Sequence, residues 1–150
     1  MNKKDQLLKG FSDVYNKMVW LNKNKMEKEL KECKPSEVHC IEYIEENKDV
    51  NVTKLAENFF MTRGAISKLT KKLIARGYIE SYSKEENRKE IYFRLTDQGK
   101  RIYNTHEKLH KEFSKRDEEV FKQITDEEMD SMLMFIENYN KHLDEEIKTV

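Results

Sequence analysis

Long apolar runs are missing from this 150-residue chain. No stretch of about 18 apolar residues exists, so a membrane span is not expected. The start, MNKKDQLLKGFSD, lacks the apolar segment of a secretory signal, which points to a cytoplasmic protein. Two cysteines, Cys33 and Cys40, make no disulfide framework and are expected as free thiols. One proline and four glycines leave few breakers, so long helices are expected. Glycine-rich phosphate loops, nucleophile motifs and specially spaced acid pairs are also missing, which argues against an enzyme. There is no internal repeat and no low-complexity linker.

Charge is abundant, at 39% of residues, and sums to zero. Its distribution is uneven. Residues 61–94 hold nine Lys/Arg against four acids, a net of +5. Residues 112–150 hold twelve acids against five bases, a net of −7. The concentration of positive charge in the middle third suggests a local nucleic-acid interface rather than a basic surface throughout.

Apolar periodicity predicts a long first helix over 4–31, carrying Leu7, Phe11, Val14, Met18 and Leu30. Pro35 suits the first turn of a second helix, with Val38, Ile41 and Ile44 on its buried face. Thr53 is the expected cap of a short third helix bearing Leu55, Ala56, Phe59 and Phe60. Thr62 is the expected cap of a fourth, running to about Arg76 and ended by Gly77, with Ile66, Leu69 and Leu73 inward. Two strands follow, 79–82 and 90–95, around a charged turn from Ser83 to Lys89. Thr96 is expected to cap a fifth helix over roughly 97–116, with Ile102, Tyr103, Leu109 and Phe113. Thr125 and Glu128 are spaced as a capping box for the last helix.

The fourth helix has the chemistry of a reading head. Thr62, Arg63, Gly64, Ala65, Ser67, Lys68, Lys71 and Lys72 give it a small, basic outer face. Small residues let a backbone approach base edges in a major groove. The hairpin adds Lys84, Arg88 and Lys89. An Arg on such a wing can enter a minor groove, where the potential is most negative. A winged helix serving as a protein–protein interaction module is the alternative, and it would call for an apolar or acidic face on this helix.

Glu86-Asn87-Arg88, followed by the strand ending Leu95-Thr96-Asp97-Gln98-Gly99, carries a resemblance to the MarR family of bacterial transcription regulators. That family has an acid, any residue, an Arg, and then a strand ending Leu-Thr-x-x-Gly. Glu86 stands where its acid is usually Asp. The resemblance spans nearly the whole chain. It implies a mainly α fold with a small β-hairpin wing: a winged helix-turn-helix flanked by N- and C-terminal dimerisation helices. On that reading, 1–150 is a single MarR-like domain. Residues 1–34 and 112–150 are the dimerisation helices, and 35–111 are the winged lobe and connecting helix. The implied partners are a second copy of the chain and double-stranded DNA with a pseudo-palindromic operator, and the implied role is a repressor released by an effector. The apolar first and last helices independently fit a dimer clasp, since their faces are too long for a small winged helix to cover.

Three effectors stay open. The first is a divalent metal such as zinc. His106 and His110, spaced i, i+4, share a helix face, and resemblance to zinc-responsive members of the family adds Glu27 and Cys40 as ligands. Cys33 and His39 fall where such proteins place a second group; Cys40 stands in for a His and His39 for an acid. The second is a small phenolic or apolar ligand in a crevice lined by Phe11, Tyr15, Trp20 and Tyr43. The third is oxidation of Cys33 or Cys40, for which Lys31 and Lys34 beside Cys33 offer positive charge.

Overall fold

The computed structural model describes residues 1–150 as six helices and one hairpin. In chain order these are α1 (Lys3–Glu29), α2 (Pro35–Glu46), α3 (Val52–Phe59), α4 (Arg63–Ala75), β1 (Ile79–Lys84), β2 (Asn87–Leu95), α5 (Asp97–Phe121) and α6 (Asp126–Lys148). This is the mainly helical winged helix-turn-helix expected from the sequence. The chain divides into two units, Met1–Lys111 and Glu112–Val150. No helix is long and apolar enough to cross a membrane.

Most of the first unit's core comes from 38–109. Val38, Ile41 and Ile44 of α2, Leu55 and Ala56 of α3, and Ile66 and Leu73 of α4 are buried with Ile79, Phe93 and Leu95 of the hairpin. Each of the Val, Ile, Leu and Phe side chains contributes on the order of 1.5–3 kcal/mol by leaving water. α5 continues the core with Ile102, His106 and Leu109, a stripe at helical spacing in which one position is a histidine. α1 buries none of its residues, and its Leu7, Phe11, Val14, Tyr15, Met18 and Trp20 are exposed.

Local signals explain most boundaries. Pro35 opens α2, where its missing N–H costs nothing. Thr62 Oγ1 accepts from Ala65 N at 3.1 Å and starts α4. Gly77 sits at φ +81 just after α4, in the left-handed region glycine occupies cheaply. Gly99 is needed for another reason, because a Cβ there would strike the Tyr78 carbonyl oxygen. Thr96 Oγ1 donates to the Gly77 carbonyl at 2.5 Å and accepts from Gly99 N at 3.2 Å, tying the end of α4 to the start of α5.

Four expectations change. The cap of α3 is Asn51, whose Oδ1 accepts from Lys54 N at 2.9 Å, and Thr53 lies inside the helix. Phe60 is not part of a buried helix face. It takes a left-handed conformation at φ 52 and is 70% exposed. α5 runs on to Phe121, because nothing before the turn preceding Thr125 breaks it. The charged turn shrinks to Glu85 and Glu86, since β1 extends to Lys84 and β2 starts at Asn87. Cross-strand pairs extend the ladder: Tyr82 faces Tyr92 with ring centroids 5.5 Å apart, and Arg94 Nε donates to Glu80 at 2.8 Å.

The hairpin is also joined to the loop between α2 and α3. Val50, fully buried, forms an antiparallel bridge with Phe93, whose N–H donates to the Val50 carbonyl at 2.9 Å. In the second unit, Thr125 and Glu128 complete a capping box at the start of α6. α6 buries no residue and leaves Met132, Leu133, Phe135, Ile136, Leu143 and Ile147 exposed.

Candidate nucleic-acid interface and effector site

The outer face of α4 is built by what its inner face must do. Ile66, Thr70 and Leu73 turn inward, and the Thr70 hydroxyl donates back to the Ile66 carbonyl at 3.0 Å. That leaves Arg63, Gly64, Lys68, Lys71 and Lys72 exposed, with Ala65 and Ser67 half-buried beside them. A Cβ on Gly64 would meet nothing within 4 Å, so its surface is open to a close approach from outside. Arg88 and Lys89 are exposed on β2.

Two of the expected DNA-contacting lysines have other partners. Lys72 Nζ lies 3.4 Å from Glu37 Oε1, while Arg76 Nη1 donates to the other oxygen of Glu37 at 2.5 Å. Glu37 is 1% exposed, so α2 holds the end of α4 through a buried carboxylate. Arg76 also donates to the Glu32 carbonyl. Lys84 Nζ lies 2.7 Å from Asp49 Oδ2 and over the Tyr92 ring. Arg63, Lys68, Lys71, Arg88 and Lys89 are therefore the better candidates for phosphate or base contact.

A separate cluster joins α2 to α5. His106 and His110 present their Nε2 atoms 3.1 Å apart, and His106 Nδ1 lies 2.7 Å from Glu42 Oε2. One ligand atom from each of Glu42, His106 and His110 falls within 4.8 Å of the others, a spacing that fits one metal ion. His106 is 4% exposed. Its Nδ1 is close to Glu42 but not aligned as an N–H donor, and it has no hydrogen-bond partner. Burial, with His110 and His39 nearby, pushes its pKa down to about 4. Burial raises the Glu42 pKa, with Glu46 adding to it. A neutral buried imidazole short of a partner suits a metal ligand.

The rest of the expected ligand set is not brought there. Glu27 is paired with Lys23 on α1 at 3.7 Å, and the carboxylate beside the imidazoles is Glu42. Cys40 is fully buried, and desolvation pushes its thiol up to about 12, the opposite of what a thiolate ligand requires. Cys33 is half-buried, and burial raises its pKa too, against a hydrogen bond with Tyr78 and the Arg76 charge. At both thiols burial works against the thiolate that oxidation sensing uses. His39 is exposed one turn before Glu42 and close enough to influence both Glu42 and His106. Of the aromatics expected to line a crevice, Phe11, Tyr15 and Trp20 are exposed on α1, and Tyr43 packs edge-on against Phe59 at 5.9 Å. The shallow pocket that includes Trp20 is lined by Asn16, Lys17, Trp20 and Leu21, all from α1.

Residues 34–91 match the MarR family. The HTH-type transcriptional regulator PchR of Bacillus subtilis is 30% identical over 148 residues, covering 89% of this chain and 88% of that protein. The chain belongs to the MarR family. It is thus a winged helix-turn-helix, DNA-binding transcriptional regulator. Two solved structures share its fold. Streptococcus pneumoniae FabT, solved in complex with DNA, superposes with a TM-score of 0.80 at 21% identity, over 95% of this chain and 99% of that one. Staphylococcus aureus MarR, solved with salicylate and kanamycin, gives 0.74 at 15% identity, over 95% and 93%.

Glu37, Glu42, Asp49 and Asn51 escaped the sequence reading. Each is a polar residue beside an apolar one, a pattern that by itself gives an ordinary solvated position. One signal was available: Glu42 is three residues after His39, on the same face of α2.

Proposed function

We propose that this MarR-family chain acts as a homodimeric repressor that reads a pseudo-palindromic duplex, with α4 in the major groove and the wing against the adjacent backbone and minor groove. The observation that carries this is the exposed face Arg63–Gly64–Lys68–Lys71, set beside exposed Arg88 and Lys89. Bases on the wing and along α4 hold phosphates and fix register, and the small residues near Thr62 admit base edges. FabT being solved with DNA supports the same use of the fold. The dimer reading rests on α1 and α6, whose apolar side chains are exposed in the single chain. On this reading 1–34 and 112–150 form the clasp, and 35–111 form the reading lobe and its connecting helix.

The effector we favour is a divalent metal such as zinc, held by Glu42, His106 and His110. The orphaned, buried Nδ1 of His106 supports it. Zinc accepts two imidazoles and a carboxylate, with a fourth position left for water or another donor. Such an ion would cross-link α2 to α5 and so alter the placement of the lobe that bears α4.

The test is sedimentation of the purified chain, then selection of bound duplexes from a random pool with a salt titration. A dimer with a salt-sensitive preference for one sequence, with half-sites about one helical turn apart, is expected. A monomer without salt-sensitive duplex binding overturns the reading. Zinc added to chelator-treated protein is expected to change affinity for the selected duplex. Unchanged affinity removes the metal and returns the effector to a small ligand.

A further inference from the structure

The loop between α2 and α3 does more than connect two helices. Val50 adds a bridge to β2 through Phe93, and the residues on either side of it each hold the wing by a side chain. Asp49 accepts from the Tyr82 hydroxyl at 3.3 Å and pairs with Lys84 Nζ at 2.7 Å, so it grips β1. The pairing lowers the Asp49 pKa and raises that of Lys84. Asn51 grips β2, donating from Nδ2 to Glu90 Oε1 at 2.8 Å. Its other atom, Oδ1, caps α3 through Lys54 N at 2.9 Å. One amide thus joins the wing to the first helix of the helix-turn-helix, and α3 packs on α4. Asp49 holds a left-handed backbone at φ 52, a conformation that Asp and Asn tolerate better than other side chains.

We propose that Asp49 and Asn51 are positioning residues that fix the pitch of the wing relative to α4, so that Arg88 and the α4 face engage one duplex together. Lys84 then serves as a strut between wing and loop and not as a phosphate contact. Without these two side chains the hairpin stays attached near its base, through the Val50–Phe93 bridge and the buried Ile79, Phe93 and Leu95. The outer half of the wing, which carries Arg88, is released to pivot. A wing that must be oriented at the moment of binding contributes less to affinity than one already in place.

The inference rests on the DNA-binding reading, and the experiment separates the two. The probe is a duplex selected by the wild-type chain. Asp49→Gly removes the carboxylate while keeping the left-handed backbone inexpensive. Asn51→Ser keeps a capping oxygen for α3 but loses the donor to Glu90. The double variant is expected to bind about tenfold more weakly, with the slope of log affinity against log salt reduced by about one unit. Arg88→Ala is expected to cost much less in that background than in wild type, because the wing no longer presents the arginine. A role in stability alone would lower affinity without changing the slope or the coupling to Arg88. Asp49→Asn, which keeps an acceptor for Tyr82 and Lys84, is expected to restore the Arg88 coupling. Should the double variant fail to fold, by circular dichroism, the same two readouts are taken on Asn51→Ser alone. A wild-type slope with the full Arg88 cost in the folded variants overturns the positioning role. A wild-type chain that selects no duplex overturns the DNA-binding reading instead.

Discussion

Acidifying the chelator-treated protein should expose the cost of burying His106. In the unfolded chain this imidazole titrates near its ordinary 6.5, and in the folded chain burial holds it to about 4. Between those values the unfolded state binds the extra proton, so stability rises with pH and is lost as pH falls from about 6.5 towards 4. At pH 4.5 roughly three-quarters of that shift is felt, which amounts to about 2.5 kcal/mol relative to pH 7. Glu42 acts in the opposite direction. Its raised pKa means that it protonates in the folded state first, which returns some stability as acid is added. Other carboxylates titrate in the same window, so the useful quantity is a difference. Urea unfolding of wild type and His106→Asn, at one protein concentration because a dimer's stability depends on it, isolates the histidine. Wild type is expected to lose about 2.5 kcal/mol more than the variant between pH 7 and 4.5. A difference below about 0.5 kcal/mol would refute the reasoning. It would mean that His106 is protonated in the folded state and that the 2.7 Å approach to Glu42 is an ion pair. We favour the neutral form, because the imidazole is almost fully buried and Glu42 itself resists ionisation.

Glu37→Gln should lower the unfolding free energy by about 2–3 kcal/mol, because it leaves Arg76 and Lys72 without the buried carboxylate they share. Arg76 is partly exposed and can rehydrate, which keeps the loss below that of a fully buried pair; an unchanged urea midpoint would show the contact to be idle. Arg88→Ala should weaken binding to the selected duplex and reduce the salt slope by about one unit, with no change in thermal unfolding. Equal slopes would place the wing off the DNA. Cys40→Ala should cost stability through the space it empties, yet leave any zinc response intact, whereas a His106→Ala/His110→Ala double variant should abolish it. Loss of the response in Cys40→Ala would restore the thiol to the ligand set.

What the sequence determined by itself is whatever is local and periodic. Apolar spacing in α2, α4 and α5, the caps Thr62 and Thr125, Pro35 and Gly77 each act within a few residues, and each set its element as expected. The basic, small face of α4 was legible for the same reason: a helix of known phase assigns its own outer side. The i, i+4 pair His106 and His110 was equally visible. Only the tertiary structure decided which partners met them. That Glu42 and not Glu27 faces the imidazoles depends on how α2 packs against α5, which no spacing within either helix records. That Cys40 sits in the core, where desolvation favours the protonated thiol, likewise depends on how α2 packs. Lys72 and Lys84 look like any other lysine in sequence, and only the fold pairs each with an acid 35 residues away, Glu37 and Asp49. Asp49 and Asn51 gain their roles only when the hairpin folds back against the loop between α2 and α3. Long-range pairing of polar side chains leaves no periodic trace in a chain, so it is the part that folding alone reveals.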